Sequence, residues 1–111
     1  MKDIESITGE AEKIAESGIL GRSRTYGRLL AYLVRRSEDG DRPKEIEIAI
    51  DVFDKGSDFN PNQDSLVRVY VHNLRQKLDK YYAKHPDSDG MRLAIPKGEY
   101  RLAFVPDTPA V

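Results

Sequence analysis

The sequence predicts a small α+β domain, mostly α-helical and closed by a C-terminal β-hairpin, with an extra amphipathic helix at its N-terminus. Three observations carry that expectation. Apolar residues recur at helical spacing in four successive segments, two short alternating runs separated by a turn follow them, and 111 residues leave room for one core and little for a second. Hydrophobic residues at 39% and charged residues at 33% describe a modest core beneath a heavily charged surface.

The first segment, residues 3–17, places Ile4, Ile7, Ala11, Ile14 and Ala15 on one face among Glu and Lys, with Gly9 as a weak point and Gly18 as a stop. Ile19, Leu20 and Gly21 form a short apolar link. Ser23 is a candidate N-cap for the second helix, where Tyr26, Leu29, Leu30, Leu33 and Val34 follow the i, i+3, i+4, i+7, i+8 pattern. Arg24, Arg28 and Arg35 fall on the opposite face and Arg36 flanks it, all read as solvated or phosphate-facing positions. Residues 37–41, with Gly40, end that helix. Pro43 suits the first turn of a third helix over 44–53, which puts Ile46, Ala49, Ile50 and Phe53 on one face, widened by Ile48 and Val52.

Residues 54–60 read as a polar loop with Phe59 turned back to the core. The longest helix follows and runs to about residue 83. Asn60, Pro61, Asn62 and Gln63 resemble a capping box with Pro at the first helical position, while Asp64 and Ser65 offer a start one turn later. The stripe is Leu66 or Val67, Tyr70 or Val71, Leu74, Leu78, and Tyr81 or Tyr82. Val67, Val69 and Val71 would suit a strand, but the spacing of Leu74 and Leu78 decides for a helix. Residues 85–90 read as a loop, 91–95 as a strand, 96–99 as a turn, 100–105 as a second strand and 106–111 as a flexible tail. Three helices, the first two joined by a short turn, and then a hairpin make the outline of a winged helix-turn-helix. The expected organisation is a helix and link over 1–20, the winged helix-turn-helix over 21–105, and the tail.

The net charge of −1 argues at first against a nucleic-acid partner, but its distribution is uneven. Residues 22–36 carry five arginines and no acid, and residues 65–105 carry eight basic and four acidic groups. Residues 1–21 hold two basic and five acidic groups, and 37–64 hold three and nine. If folding brings the two basic segments to one side, a nearly neutral chain acquires a basic face. Charge blocks that are merely solvated helix faces are the plainer alternative.

From residue 23 to 105 the chain resembles the DNA-binding domain of OmpR/PhoB-type response regulators. The resemblance rests on the run Val67-Arg68-Val69-Tyr70-Val71-His72-Asn73-Leu74-Arg75-Gln76-Lys77-Leu78 and the hairpin end Lys97-Gly98-Glu99-Tyr100-Arg101-Leu102. It is similar, more closely, to a divergent winged-helix group found at the N-termini of bacterial multidomain proteins. There the matching residues are Arg28-Leu29-Leu30-Ala31-Tyr32-Leu33-Val34, Lys44-Glu45, Val52-Phe53 and Phe59-Asn60-Pro61-Asn62-Gln63-Asp64. The resemblance implies a bacterial, cytoplasmic transcription regulator or regulatory domain that binds double-stranded DNA. In such a protein the helix over 65–84 lies in the major groove and the hairpin over 91–105 acts as the wing. The chain departs from the family in placing Glu99 where a small residue is usual, and in having an acidic helix instead of an N-terminal four-stranded sheet.

With Val67, Val71, Leu74 and Leu78 turned inward, Arg68, His72, Arg75 and Lys77 are the outward candidates for DNA, with Asn73 and Gln76 also available, because Arg can pair bidentately with guanine and Asn or Gln with adenine. Arg68 and His72 stand near the helix start, where recognition helices read bases. Arg75 and Lys77 belong to a family-like pattern that could equally support packing or a salt bridge. Lys97 and Arg101 are the wing candidates for phosphate, against a plain charge pairing with Glu99. Arg24 could reach phosphate from the second helix.

Two histidines and no cysteine leave no metal-ligand cluster, and no cofactor is expected. No phosphate-cradling glycine loop, HExxH motif or marked nucleophile occurs, so no enzymatic activity is expected. The chain has neither an apolar span nor a signal-peptide core, so no membrane partner is expected. The rival reading is a winged helix that binds protein rather than DNA, through the acidic residues Glu38, Asp39, Asp41, Glu45 and Glu47. A homodimer through the N-terminal helix is a further possibility, since helix-turn-helix proteins commonly pair on two half-sites.

Overall fold

The computed structural model describes residues 4–84 and 91–106. The chain is mostly helical: α1 (Ile4–Glu16), α2 (Arg24–Glu38), α3 (Glu45–Phe53) and α4 (Leu66–Lys84) precede β1 (Met91–Ala94) and β2 (Ala103–Pro106). The two strands pair antiparallel, Met91 opposite Pro106 and Ala94 opposite Ala103. No four-stranded sheet occurs among the described residues, and none of their helices is long and apolar enough to cross a membrane. The expected loop over 85–90 lies outside the described residues, as does the expected tail over 106–111 except for Pro106, which ends β2 instead.

One core joins all six elements. Ile14 of α1, Leu29 and Leu33 of α2, Ile48 of α3, Val67, Val71, Leu74 and Leu78 of α4, and Leu93 of β1 are fully or almost fully buried together. Burying each such side chain contributes about 1.5–3 kcal/mol. The buried set of α4 is the stripe that its 3.6-residue period predicts. Ala11 and Ile14 of α1 are buried in the chain's own interior, so α1 caps the core. Tyr82 of α4 locks α1 in place. Its hydroxyl donates to Glu10 and accepts the Leu93 N–H at 3.0 Å, so one phenol ties α1 to both α4 and β1. Burial and the Glu10 carboxylate both raise the Tyr82 pKa.

Helix ends follow local chemistry. Ser23 Oγ accepts the Thr25 N–H at 3.2 Å and opens α2. Asp64 Oδ1 accepts the Leu66 N–H at 3.0 Å and opens α4, so the later of its two expected starts is the real one. Pro61 instead sits in a turn closed by Asn60, whose backbone carbonyl accepts the N–H groups of Gln63 and Asp64.

Three expectations need correction. Pro43 precedes α3 rather than sitting in its first turn; Lys44 is the N-cap, and its N–H donates to Glu47 Oε1 at 2.8 Å. On α3 the buried face is Ile48, Ala49 and Val52, whereas Ile50 is 39% exposed. Apolar residues cover more than half of the helix circumference, with Glu47 and Asp51 on the remaining side, so its periodicity does not narrow the buried face to Ile48, Ala49 and Val52. Arg36 is not a solvated flank. It lies between α2 and α3 with Asp41 at 3.2 Å, Glu47 at 3.3 Å and Asp51 at 4.0 Å. Its guanidinium also donates to the Tyr32 hydroxyl, which donates to Asp51 at 2.9 Å. Burial first, and then the Asp51 bond, push the Tyr32 pKa up to about 12.

The hairpin differs too. Its strands stop at Ala94 and resume at Ala103, so eight residues, 95–102, connect them in place of a four-residue turn. Pro96 has no N–H for the ladder, and the Leu102 N–H turns to Ser37 Oγ of α2 at 3.1 Å. A tight turn survives inside the connection, where the Glu99 N–H donates to Pro96 O at 3.2 Å and Gly98 adopts φ 80°, a conformation that favours glycine.

Candidate nucleic-acid interface

The buried stripe of α4 determines what the helix shows to solvent. With Val67, Val71, Leu74 and Leu78 inside, Arg68, Val69, His72, Gln76, Asp79 and Lys80 are exposed along the other side of the helix. Arg68 and Lys80 are basic, and the one acid on this side, Asp79, pairs with Arg92 of β1 at 2.6 Å. Val69, at 48% exposure, is the most exposed large apolar residue of the described chain.

Arg68 stands in the first turn of α4, half exposed, with Nη1 3.4 Å from Glu45 Oε2 at the start of α3. Glu45 is a hub. Its other oxygen accepts the Tyr100 hydroxyl at 3.2 Å, which links α3 to the hairpin connection. Its Oε2 is buried and accepts no hydrogen bond among the described residues, so the Arg68 charge is what offsets it. Burial and this carboxylate raise the Tyr100 pKa. His72 is exposed and has neither a hydrogen bond nor an ion pair among the described residues.

Two other candidates on α4 turn back toward α2. Asn73 Nδ2 donates to the Tyr26 hydroxyl at 3.1 Å, and Lys77 Nζ lies 4.8 Å from the centre of the Tyr26 ring. The same ring packs against Tyr70, with centroids 5.1 Å apart. Arg75 turns toward the hairpin. Its Nε donates to Ile95 O at 3.0 Å, and its Nη2 to Pro96 O at 3.1 Å and, more weakly, to Glu99 O at 3.5 Å.

In the hairpin connection, Lys97 is exposed and has no ion pair among the described residues. Arg101 pairs with Glu99, and Arg42 approaches the same carboxylate at 3.8 Å. The Arg101 hydrogen bond holds the Glu99 carboxyl below the usual range, so the acid stays ionised beside Lys97. Arg24 begins α2, exposed, with no bond to the other candidates.

Arg68, Arg75 and the residue 95–101 connection are therefore drawn together, by the Glu45–Tyr100 link and by the Arg75 bonds, while Asn73 and Lys77 serve α2. Lys80 and Gln76 complete the exposed row. Lys80 had a signal in the sequence, eight residues beyond His72 on the same face. Glu45 and Tyr100 had none, since 55 residues separate them. Among the described residues no group of three or more His, Cys, Asp or Glu side chains could hold a metal ion. Compared with known proteins, the chain matches no family model, no curated protein and no solved structure.

Proposed function

We propose that the chain is a winged helix-turn-helix domain that binds double-stranded DNA, as a transcription regulator or a regulatory domain in the bacterial cytoplasm. In this reading α2, α3 and α4 are the three-helix core, α4 enters the major groove, and residues 91–105 are the wing. The observation that carries it is the exposed side of α4, which presents Arg68, His72 and Lys80 and whose one acid, Asp79, is paired with Arg92, beside a hairpin connection that presents Lys97. Arg68 and His72 are the base-edge candidates, and Lys80 and Lys97 the phosphate candidates.

The internal pairing of the acidic block supports the same reading. Asp41 and Glu47 are held by Arg36, Glu45 by Arg68, and Glu38 accepts a hydrogen bond from Thr8 at 2.9 Å. A protein-binding winged helix is the second reading, favoured by the exposure of Ile50 on acidic α3 and by the capture of Arg101 by Glu99. Dimerisation through α1 would serve either reading.

Duplex binding measured against salt separates them. A phosphate-binding domain loses affinity steeply as salt rises. The Arg68→Ala, Lys97→Ala double variant is expected to weaken binding and flatten the salt dependence. Absence of duplex binding at low salt, or a double variant that binds as the parent does, overturns the DNA reading.

A further inference from the structure

We propose that Arg75 is a positioning residue that fastens the hairpin connection to α4 and does not itself meet DNA. This rests on the DNA-binding reading and assigns one of its basic residues a separate role. The need arises in the backbone. Strand pairing ends at Ala94 and Ala103, so the carbonyls of Ile95, Pro96 and Glu99 have no partners across the ladder. Ile95 is only 5% exposed, and a carbonyl beside it still requires a donor. Arg75 supplies donors to all three from one guanidinium, with Nε and Nη2 at 3.0–3.5 Å. A planar fork can serve several acceptors in a fixed geometry, whereas an ammonium on a flexible stem holds no such geometry.

The consequence is a rigid relationship between two parts of the interface. Pro96 and Glu99 flank Lys97 and Gly98, and Pro96 O accepts both Arg75 Nη2 and the Glu99 N–H that closes the turn. Arg75 thus sets the distance between the exposed row of α4 and Lys97. It makes no ion pair to an acid among the described residues, and its polar partners are backbone carbonyls. Its two committed nitrogens are taken up by carbonyls of the hairpin connection.

A positioning role and a phosphate contact differ in salt response. Loss of a phosphate contact reduces the slope of log affinity against log salt by about one; loss of preorganisation weakens binding at constant slope. The experiment compares the full chain with Arg75→Met, Arg75→Lys and Lys97→Ala, using duplex DNA over a salt series. Amide hydrogen exchange at Glu99 in the DNA-free protein is measured alongside. Both Arg75 variants are expected to bind about tenfold more weakly with an unchanged slope, and to exchange the Glu99 amide faster. Lys97→Ala should lower the slope and leave Glu99 exchange unaltered. A reduced slope in Arg75→Met, parent-like binding by Arg75→Lys, or unaltered Glu99 exchange in Arg75→Met overturns the proposal. If the parent chain binds no duplex at low salt, the DNA reading and the interface role of Arg75 fall together. Parent binding with unaltered Glu99 exchange removes the Arg75 proposal alone.

Discussion

Glu45 Oε2 lies 3.4 Å from Arg68 Nη1, so the foremost basic residue of the α4 exposed row is already held by an acid of α3. The arginine is half exposed, but Glu45 Oε2 is buried and is offset only by Arg68. In the DNA-binding reading, drawing Arg68 away from Glu45 therefore costs on the order of 1 kcal/mol. Replacing Glu45 with Gln is expected to raise duplex affinity by up to about fivefold, and to do so only while Arg68 is present. A double-mutant cycle with Arg68→Ala checks this. If Glu45→Gln strengthens binding equally in the Arg68→Ala background, the gain is general electrostatics and the pairing has no special part.

Tyr82 serves both Glu10 and the Leu93 N–H. Tyr82→Phe keeps the ring, which also lies 4.9 Å from the Arg92 guanidinium, and removes only the hydroxyl. It leaves a buried N–H without its partner and is expected to cost about 2 kcal/mol, read as a lower urea midpoint at unchanged slope. Combining it with Glu10→Gln should cost less than the two changes separately.

The Glu47 carboxyl is held below its ordinary pKa, first by the Lys44 N–H and then by Arg36. A carboxyl depressed in the folded state adds stability that is present above its unfolded pKa and lost as pH falls through the folded one. Stability should therefore decline below about pH 4, and Glu47→Gln should shallow that decline in urea midpoints taken across the acid range. Glu99, depressed by Arg101, contributes with the same sign.

Deleting residues 1–18 removes the fully buried Ile14 and the Glu10 link to Tyr82. The shortened chain is expected to lose at least about 2 kcal/mol in denaturant unfolding. Light scattering on both chains tests the pairing role of α1 separately. A dimer that becomes a monomer supports it, and a monomer in both cases removes it.

The helices were legible because their patterns are periodic. Leu29, Leu30 and Leu33, or Val71, Leu74 and Leu78, identify a face by spacing alone, and Ser23 marks an end by its chemistry. Where the apolar arc is broad, as on α3, spacing alone does not separate Ile48, which is buried, from Ile50, which is exposed. The site was legible as a set of candidates and not as a geometry. Nothing local distinguishes Arg75, which serves the hairpin, from Arg68, which faces outward. That difference depends on where residues 95–99 pass, and so on Pro96 and on Ser37 drawing the Leu102 N–H away. Arg36 was misread for the same reason, since two of its three acids, Glu47 and Asp51, belong to another helix.

The Glu10–Tyr82 contact spans 72 residues of chain. A ribosome makes α1 first, and α1 can form or lean on α2 while the rest is still being synthesised. Its lock, however, needs Tyr82 to have emerged and Leu93 to have followed. Final closure of the fold is therefore expected only after Leu93 has left the ribosome, and a nascent chain arrested before residue 82 should leave the apolar side of α1 open to chaperones.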